Sequence, residues 1–292
     1  MTDLVVVGMA YFEVFVPPHV RPAPGEELFV DGIELALGGA LNTATVAAAL
    51  GLDVTLCVPM GEGIVDHAVA ALAKSLGITL LPLDAPDDPA ISLVFSDARD
   101  RAFVSAARLD VLADVQRLPP SAWIHVPGLE EASRLESPLA RARQEGARIS
   151  VSASWSPRQL ALLGGRTGQA WDLLVLNDKE ALAAFGDVAA APQHLAQAAH
   201  SVLVTVGDKG AFGVLDGVPV RTPAIPVDMV DATGAGDAFC AGVLAGLLRG
   251  MPAAAVVQTG TRAAARILNQ AGGLVKDRRR MAGVMEGDAC KH

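Results

Sequence analysis

The stretch DATGAGDAFCAG, Asp231 to Gly242, joins an extended run, IPVDMV at 225–230, to a long Ala- and Leu-rich segment of helical character from about residue 235. A chain that passes through a Gly-rich turn into a helix leaves the first helical amides facing outward, with the positive end of the helix dipole behind them. Gly234 and Gly236 carry no Cβ, so a phosphate can come close to the backbone of Gly234, Ala235 and Gly236. Asp237 falls in the first turn, where the dipole favours a carboxylate that can take a proton from an attacking alcohol. The neighbouring amides would stabilise charge on a transferring phosphoryl group. A purely structural account has TGAG letting the helix lie close on a sheet. The full string between a strand and an apolar helix favours chemistry.

Working outward, the C-terminal side reads as two Ala-rich helices, 235–249 and 252–270, then a charged, fraying tail at 276–292. On the N-terminal side a hairpin (AFGVLD and VPVRTP about Gly217) follows strands 172–176 and 201–206, with helices 178–185 and 192–199 between them. Further upstream come strand 123–126, helix 134–145 and strand 147–152. The chain opens with strand 4–8, helix 42–50, strand 53–58 and helix 66–76. Such alternation predicts an α/β fold: a mostly parallel central sheet covered by helices on both faces, with ligands at the carboxyl ends of the strands. Segments 27–37 and 78–106 break the rhythm with strand-like pieces and no helix, and are expected to form a small β-sheet lid on one domain spanning 1–275.

The bulk properties agree and exclude several classes. Of 292 residues, 51% are hydrophobic and only 4% aromatic, so an ordered core is built from Ala, Val and Leu. The net charge of −9 argues against a nucleic-acid or anionic-membrane partner. Cys57, Cys240 and Cys290 lack metal-ligand or redox spacing. The start, MTDLVVVGMAYF, has neither a signal-peptide pattern nor the length of a membrane span, and a cytoplasmic protein is expected. No G-x-G-x-x-G follows the first strand, which disfavours a dinucleotide-binding oxidoreductase.

Three other segments carry polar groups where chemistry could use them. In LGGALNTATVAAALG, Leu37 to Gly51, Gly38 and Gly39 admit a polyol to the backbone and Asn42 offers both a donor and an acceptor, though Asn there is also a common helix cap. Asn177-Asp178-Lys179-Glu180 after DLLVL reads as a capping box or as a phosphate-side motif. VTVGDKGAFGV, Val204 to Val214, is a strand and turn with Thr205, Gly207 and Gly210.

Together with DATGAGD, these segments in this order resemble the PfkB (ribokinase-like) carbohydrate-kinase family from Val5 to about Gly272. The resemblance implies a three-layer α/β/α fold with a lid, and phosphoryl transfer from ATP with Mg²⁺ to a hydroxyl of a small sugar-like molecule. It implies Asp237 as base, Gly234, Ala235 and Gly236 as the anion hole, and Asn177, Thr205, Gly207 and Gly210 at the nucleotide. Glu180 would position Mg²⁺ through water, Asp231 with the Thr233 carbonyl would match a K⁺ site, and Glu13, Gly38, Gly39, Asn42 and Glu130 would face the acceptor. Glu13 stands where ribokinase-type members carry Asp, and Ala40 where they carry Lys, which points away from ribose itself. Arg99, Arg101 and Arg108 beside the lid would meet an anionic group or remain solvated. Lid strands imply a homodimer. A nucleoside kinase, with Tyr11 and Phe12 stacking on a base, is the near alternative; a non-catalytic ligand-binding regulator is the distant one.

Overall fold

The computed structural model describes residues 2–17, 22–85, 89–96 and 101–286. Its strands and helices, in chain order, are β1 (Thr2–Val7), β2 (Ala10–Val16), β3 (Glu34–Gly39), α1 (Ala40–Ala49), β4 (Val54–Met60), α2 (Ile64–Ser75), β5 (Thr79–Asp84), β6 (Ile91–Ser96), β7 (Arg101–Ala106) and β8 (Ser121–Val126). There follow α3 (Leu129–Arg134), α4 (Glu136–Gln144), β9 (Arg148–Ser152), α5 (Pro157–Leu163), β10 (Trp171–Asn177), α6 (Asp178–Phe185), α7 (Ala191–His194), β11 (Ala199–Thr205), β12 (Ala211–Leu215), β13 (Val218–Thr222), α8 (Ala235–Leu248) and α9 (Ala253–Leu268).

β1 has no polar alternate after Asp3 because both of its faces are covered: Leu4 and Val6 join one core cluster, Val5 and Val7 the other. The large sheet runs β13-β12-β11-β10-β9-β8-β1-β4-β5, with every pairing parallel except those that β12 makes with β11 and β13. Residues of α1, α2, α8 and α9 fill the cluster on one face, and those of α3, α4 and α5 the cluster on the other. This is the expected three-layer arrangement. The chain leaves β1 toward β4 and β5, then returns to the opposite side of β1 as β8. That reversal opens a crevice at the carboxyl ends of β1 and β8, where α/β sheets bind ligands.

The second sheet, β3-β2-β6-β7, grows from that crevice. Its register places Tyr11, Glu13, Ala36, Gly38, Ser92 and Ser105 on one face, and Phe12, Val14, Leu35, Leu37, Ile91, Leu93 and Val104 on the other. The first face also carries Phe15, Val94 and Phe103, so its polar groups Tyr11, Glu13, Ser92 and Ser105 lie beside an apolar end, whereas the second face is uniformly apolar.

Several expected boundaries move. Residues 27–33 form no strand, and the strand there is β3 alone. The missing lid strand is β2, which continues β1 after the two-residue break at Gly8–Met9. Residues 79–84 are not in the lid: β5 pairs with β4 in parallel at the edge of the large sheet. The helix expected at 134–145 is two, α3 and α4, and begins earlier, while α5 was not expected. The helix expected at 192–199 is the short α7 with a 3-10 turn, Leu195–Gln197, before β11. Of the charged tail, residues 276–286 are described, and Met281 and Val284 anchor them in the core. Arg99 lies outside the described residues.

Candidate active site

Two turns meet at the crevice. Gly39 caps α1 with φ 69°, and a Cβ there would fall 2.3 Å from the Met9 carbonyl oxygen, so only glycine lets the lid's return strand enter the helix so close to β1. Gly234 caps α8 in the left-handed conformation, φ 73°, with room for a Cβ refused by Gly273 Cα at 2.4 Å. The 272–273 glycine pair is a second wall of this turn that the sequence did not single out.

These turns bring α1 and α8 together across most of the chain. Asn42 Nδ2 donates to Asp237 Oδ2 at 3.1 Å, and the Thr43 hydroxyl donates to Asp237 Oδ1 at 3.3 Å. Asn42 is 4% exposed, and its Oδ1 has no hydrogen-bond partner. The amides of Gly236 and Asp237 precede the first full turn of hydrogen bonding in α8, which Ala238 N makes to Gly234 O, whereas Ala235 N, expected in the anion hole with Gly234 and Gly236, donates to Ala232 O at 3.3 Å and closes the turn instead. A Cβ on Gly236 would meet nothing, so the space above these amides is open. Desolvation pushes the Asp237 carboxyl up to about 6, against the lowering pull of its bonds from Asn42 and Thr43. A carboxyl poised there changes charge close to neutral pH.

On the other side of the turn, Asn177 caps α6 in a reciprocal box: its Oδ1 accepts from Glu180 N at 2.8 Å, and Glu180 Oε2 accepts from Asn177 N at 2.9 Å. Glu180 is buried, and desolvation raises its pKa, with the charges of Asp178 and Asp237 adding to the rise. Thr205 stands beside Asn177 in register, both at carboxyl ends of strands. Gly207 is exposed with φ 56°, whereas a Cβ at Gly210 would fall 2.0 Å from the Thr222 carbonyl oxygen. Close backbone packing alone accounts for Gly210.

On the lid side, Glu13 is buried and folds over Gly38, whose Cβ would fall 2.1 Å from Glu13 Oε1. Glu130 behaves otherwise. It is bound by Arg134 Nη1 at 2.8 Å and by the Ser156 hydroxyl at 2.9 Å, and these bonds, Arg134 foremost, hold its carboxyl low. Its neighbour Glu131 is the inward residue: a Cβ at Gly128 would fall 2.1 Å from Glu131 Oε2, which places that carboxylate over the end of β8. Desolvation raises its pKa, with contributions from the charges of Glu130 and Asp237. Tyr11 is pushed above its ordinary range by burial and by Glu131. Sequence spacing alone could not choose between adjacent glutamates, because the start of α3 sets which one turns inward.

Asp231 Oδ1 accepts from Thr233 N at 2.6 Å and Oδ2 from Gly272 N at 2.8 Å, so this carboxylate ties the Gly-rich turn to the 272–273 wall. Arg108 is half-exposed and lies 3.9 Å from Asp110.

Residues 1–276 match the pfkB family carbohydrate kinase. The chain belongs to that family. Like its relatives, this PfkB protein is a phosphotransferase with an alcohol group as acceptor, a sugar or nucleoside kinase. It is 27% identical over 290 residues to YegV, an uncharacterized sugar kinase of Escherichia coli (strain K12), across 93% of this chain and 90% of that one. It is 26% identical over 288 residues to the cytidine kinase of Thermococcus kodakarensis, across 93% of this chain and 98% of the relative. Its fold is that of the Methanocaldococcus jannaschii nucleoside kinase, with a TM-score of 0.78, 98% of each chain covered and 17% identity. Among the described residues, no helix of this PfkB protein is long and apolar enough to cross a membrane.

Proposed function

We propose that this PfkB kinase transfers the γ-phosphoryl group of ATP to a hydroxyl of a small sugar or sugar-like molecule, with Asp237 as general base. One observation carries the reading: Asp237, at the N-terminus of α8, is held by Asn42 and Thr43 of α1, so a candidate base and the outward amides of a helix N-terminus share one place at the carboxyl ends of the strands. In this reading the Asp237 carboxylate takes the acceptor's proton while the Gly236 and Asp237 amides face the charge of the transferring group. Asn42 and Thr43 aim the carboxylate and Glu13 grips hydroxyls from the lid. Asn177, Thr205 and Gly207 line the donor side. Positioning and preorganised dipoles supply most of the acceleration.

The residues fit a weakly protein-bound Mg²⁺. Among the described residues no group of three or more His, Cys, Asp or Glu could hold a metal, while Glu180 keeps its Oε1 clear of the capping box. Magnesium would neutralise phosphate charge and be held chiefly by phosphates and water, with Glu180 behind a water. A K⁺ ion beside Asp231 and the Thr233 carbonyl is a dependent part of the proposal, read from turnover in potassium against sodium buffers. The apolar outer face of the lid, with Leu35 and Val104 more than half exposed, supports a homodimer through the lid. An ATP-consuming enzyme of this kind suits the cytoplasm.

The nucleoside reading draws on the cytidine kinase relative and on Tyr11, which lies on the lid's inner face; Phe12 lies on the outer face and cannot serve it. ADP release across a panel of sugars and nucleosides tests both. Turnover of at least one acceptor, abolished in Asp237→Asn with ATP binding intact, is expected. Near-normal turnover by that variant would remove the base.

A further inference from the structure

The proposed base stands on α8, while the side chains that hold it, Asn42 and Thr43, stand on α1. The aim of the carboxylate therefore depends on what fixes the start of one helix against the start of the other. Residues 270–275, the chain just after α9, touch both. On the α8 side, Gly272 N donates to Asp231 Oδ2 at 2.8 Å while Asp231 Oδ1 accepts from Thr233 N, which ties the Gly-rich turn to this segment. Gly273 is the point of closest approach: a Cβ there would fall 2.8 Å from Gly234 Cα and 2.8 Å from Asn42 Oδ1 at once. On the α1 side, Val275 N donates to the Thr45 hydroxyl oxygen at 3.2 Å, and that hydroxyl donates in turn to the Asn42 carbonyl at 3.2 Å.

The segment is itself braced. Gln270 Nε2 donates to the carbonyls of Gly272 at 3.1 Å and Leu274 at 2.8 Å, which holds the bend in shape. Beyond it, Arg278 Nη2 donates to the Leu76 carbonyl just past α2, and Met281 and Val284 enter the core. A segment anchored on both sides passes position from one neighbour to the other. Threonine inside a helix commonly turns its hydroxyl back on a carbonyl of the preceding turn. Thr45 does so and also accepts a buried amide from 230 positions away. Thr45 and Val275 are both fully buried.

We infer that Thr45 is a positioning residue for phosphoryl transfer: gripped by the 272–275 strut, it fixes the turn of α1 that bears Asn42 and Thr43 against the Gly-rich turn, and so aims the Asp237 carboxylate. This rests on the reading of Asp237 as the base. Valine at position 45 would fill the same space but offer no acceptor, leaving the Val275 N–H unpaired where water does not reach. Relieving that N–H means parting the strut from α1, and Asn42 and Thr43 move with their helix.

The test uses the full chain with MgATP and the acceptor of the panel that turns over best. It compares wild type, Thr45→Val and Thr45→Ser, with folding checked by thermal melting. Thr45→Val is expected to lower kcat about tenfold with the KM for ATP unchanged, and Thr45→Ser, which keeps the oxygen, to stay close to wild type. The acid side of the pH–rate profile is the readout that a merely structural role would not move. The bonds from Asn42 and Thr43 lower the Asp237 pKa, so loosening them should carry the midpoint above its wild-type value. The ionisable groups around Asp237, which are Glu131 on α3, Glu180 on α6, Cys240 on α8 and Asp231 in the turn, are the same in all three proteins. A kcat within about twofold of wild type in folded Thr45→Val, or a loss that leaves the midpoint in place, overturns the inference and leaves the kinase reading standing. Retained turnover in Asp237→Asn, or no turnover of any acceptor by the wild type, removes the base and the inference with it.

Discussion

Replacing Asp237 by Asn should abolish turnover and, at the same time, make the protein more stable in alkaline buffer. The carboxyl is raised from its ordinary 3.8 to about 6, chiefly by desolvation. A raised carboxylate pKa means that the folded state binds the proton more tightly than the unfolded state. Its contribution to stability is therefore complete below about pH 4 and is lost as the pH rises through 6. At 1.36 kcal/mol per pKa unit, keeping Asp237 ionised at pH 8 costs up to about 3 kcal/mol. Asparagine carries no such charge. Its carbonyl can still accept from Asn42 or Thr43, and its amide can donate to the Thr43 hydroxyl oxygen, so the local bonds are replaceable. We expect Asp237→Asn to gain about 1–3 kcal/mol at pH 8, or about 2–6 °C in Tm, and nothing at pH 4. Thermal melts of both proteins from pH 4 to 8, with ATP binding by calorimetry and ADP release on the best acceptor, make the comparison. A variant that melts lower at pH 8, or whose advantage does not depend on pH, would refute the reasoning about desolvation. Retained turnover would refute the role as base.

The same carboxyl should impose a rise in wild-type turnover through about pH 6 to a plateau above, and a flat profile between pH 5 and 7 would count against it. Asn177→Ala removes the acceptor for Glu180 N and should destabilise by about 1 kcal/mol in denaturant melts while raising the KM for ATP more than that for the acceptor. Gly234→Ala drives a Cβ to 2.4 Å from the Gly273 backbone in a left-handed residue, and should lose on the order of 2–4 kcal/mol together with most turnover. His125 is fully buried beside Ser150, and desolvation lowers its pKa from 6.5 to about 3. Its folded pKa is depressed, so its contribution is present above 6.5 and falls by about 2 kcal/mol as the pH drops to 5. His125→Gln should flatten that slope in chemical denaturation, whatever its effect on stability at neutral pH.

Periodicity and turn chemistry made much of the fold legible before any coordinates. The short apolar runs of β1, β8 and β10 read as strands by their length and their turn residues, and the Ala-rich stretches closed by Gly51 and Gly77 read as helices; the fold buries both as expected. Both ends of α6 were readable in local sequence: Asn177 and Glu180 form the capping box that starts it, and Gly186 ends it in the left-handed conformation. The lid was less legible. β2 and β5 are both short strand-like runs, and which of them joins the lid is a matter of register with β6 and β4. A strand signature contains no such information.

In the candidate site, the sequence by itself determined the residue types that the chemistry needs: a Gly-rich turn, a first-turn Asp and an Asn after Gly-Gly. Tertiary structure decided their relations. Asn42 and Asp237 are hydrogen-bonded across 195 positions, Gly273 walls the turn at Gly234, and Glu131 rather than Glu130 faces inward. A local pattern encodes conformation over a few residues. Direction, burial and partnership arise only when distant segments compete for the same space, as they do where α1, α3 and α8 meet the carboxyl ends of β1 and β8.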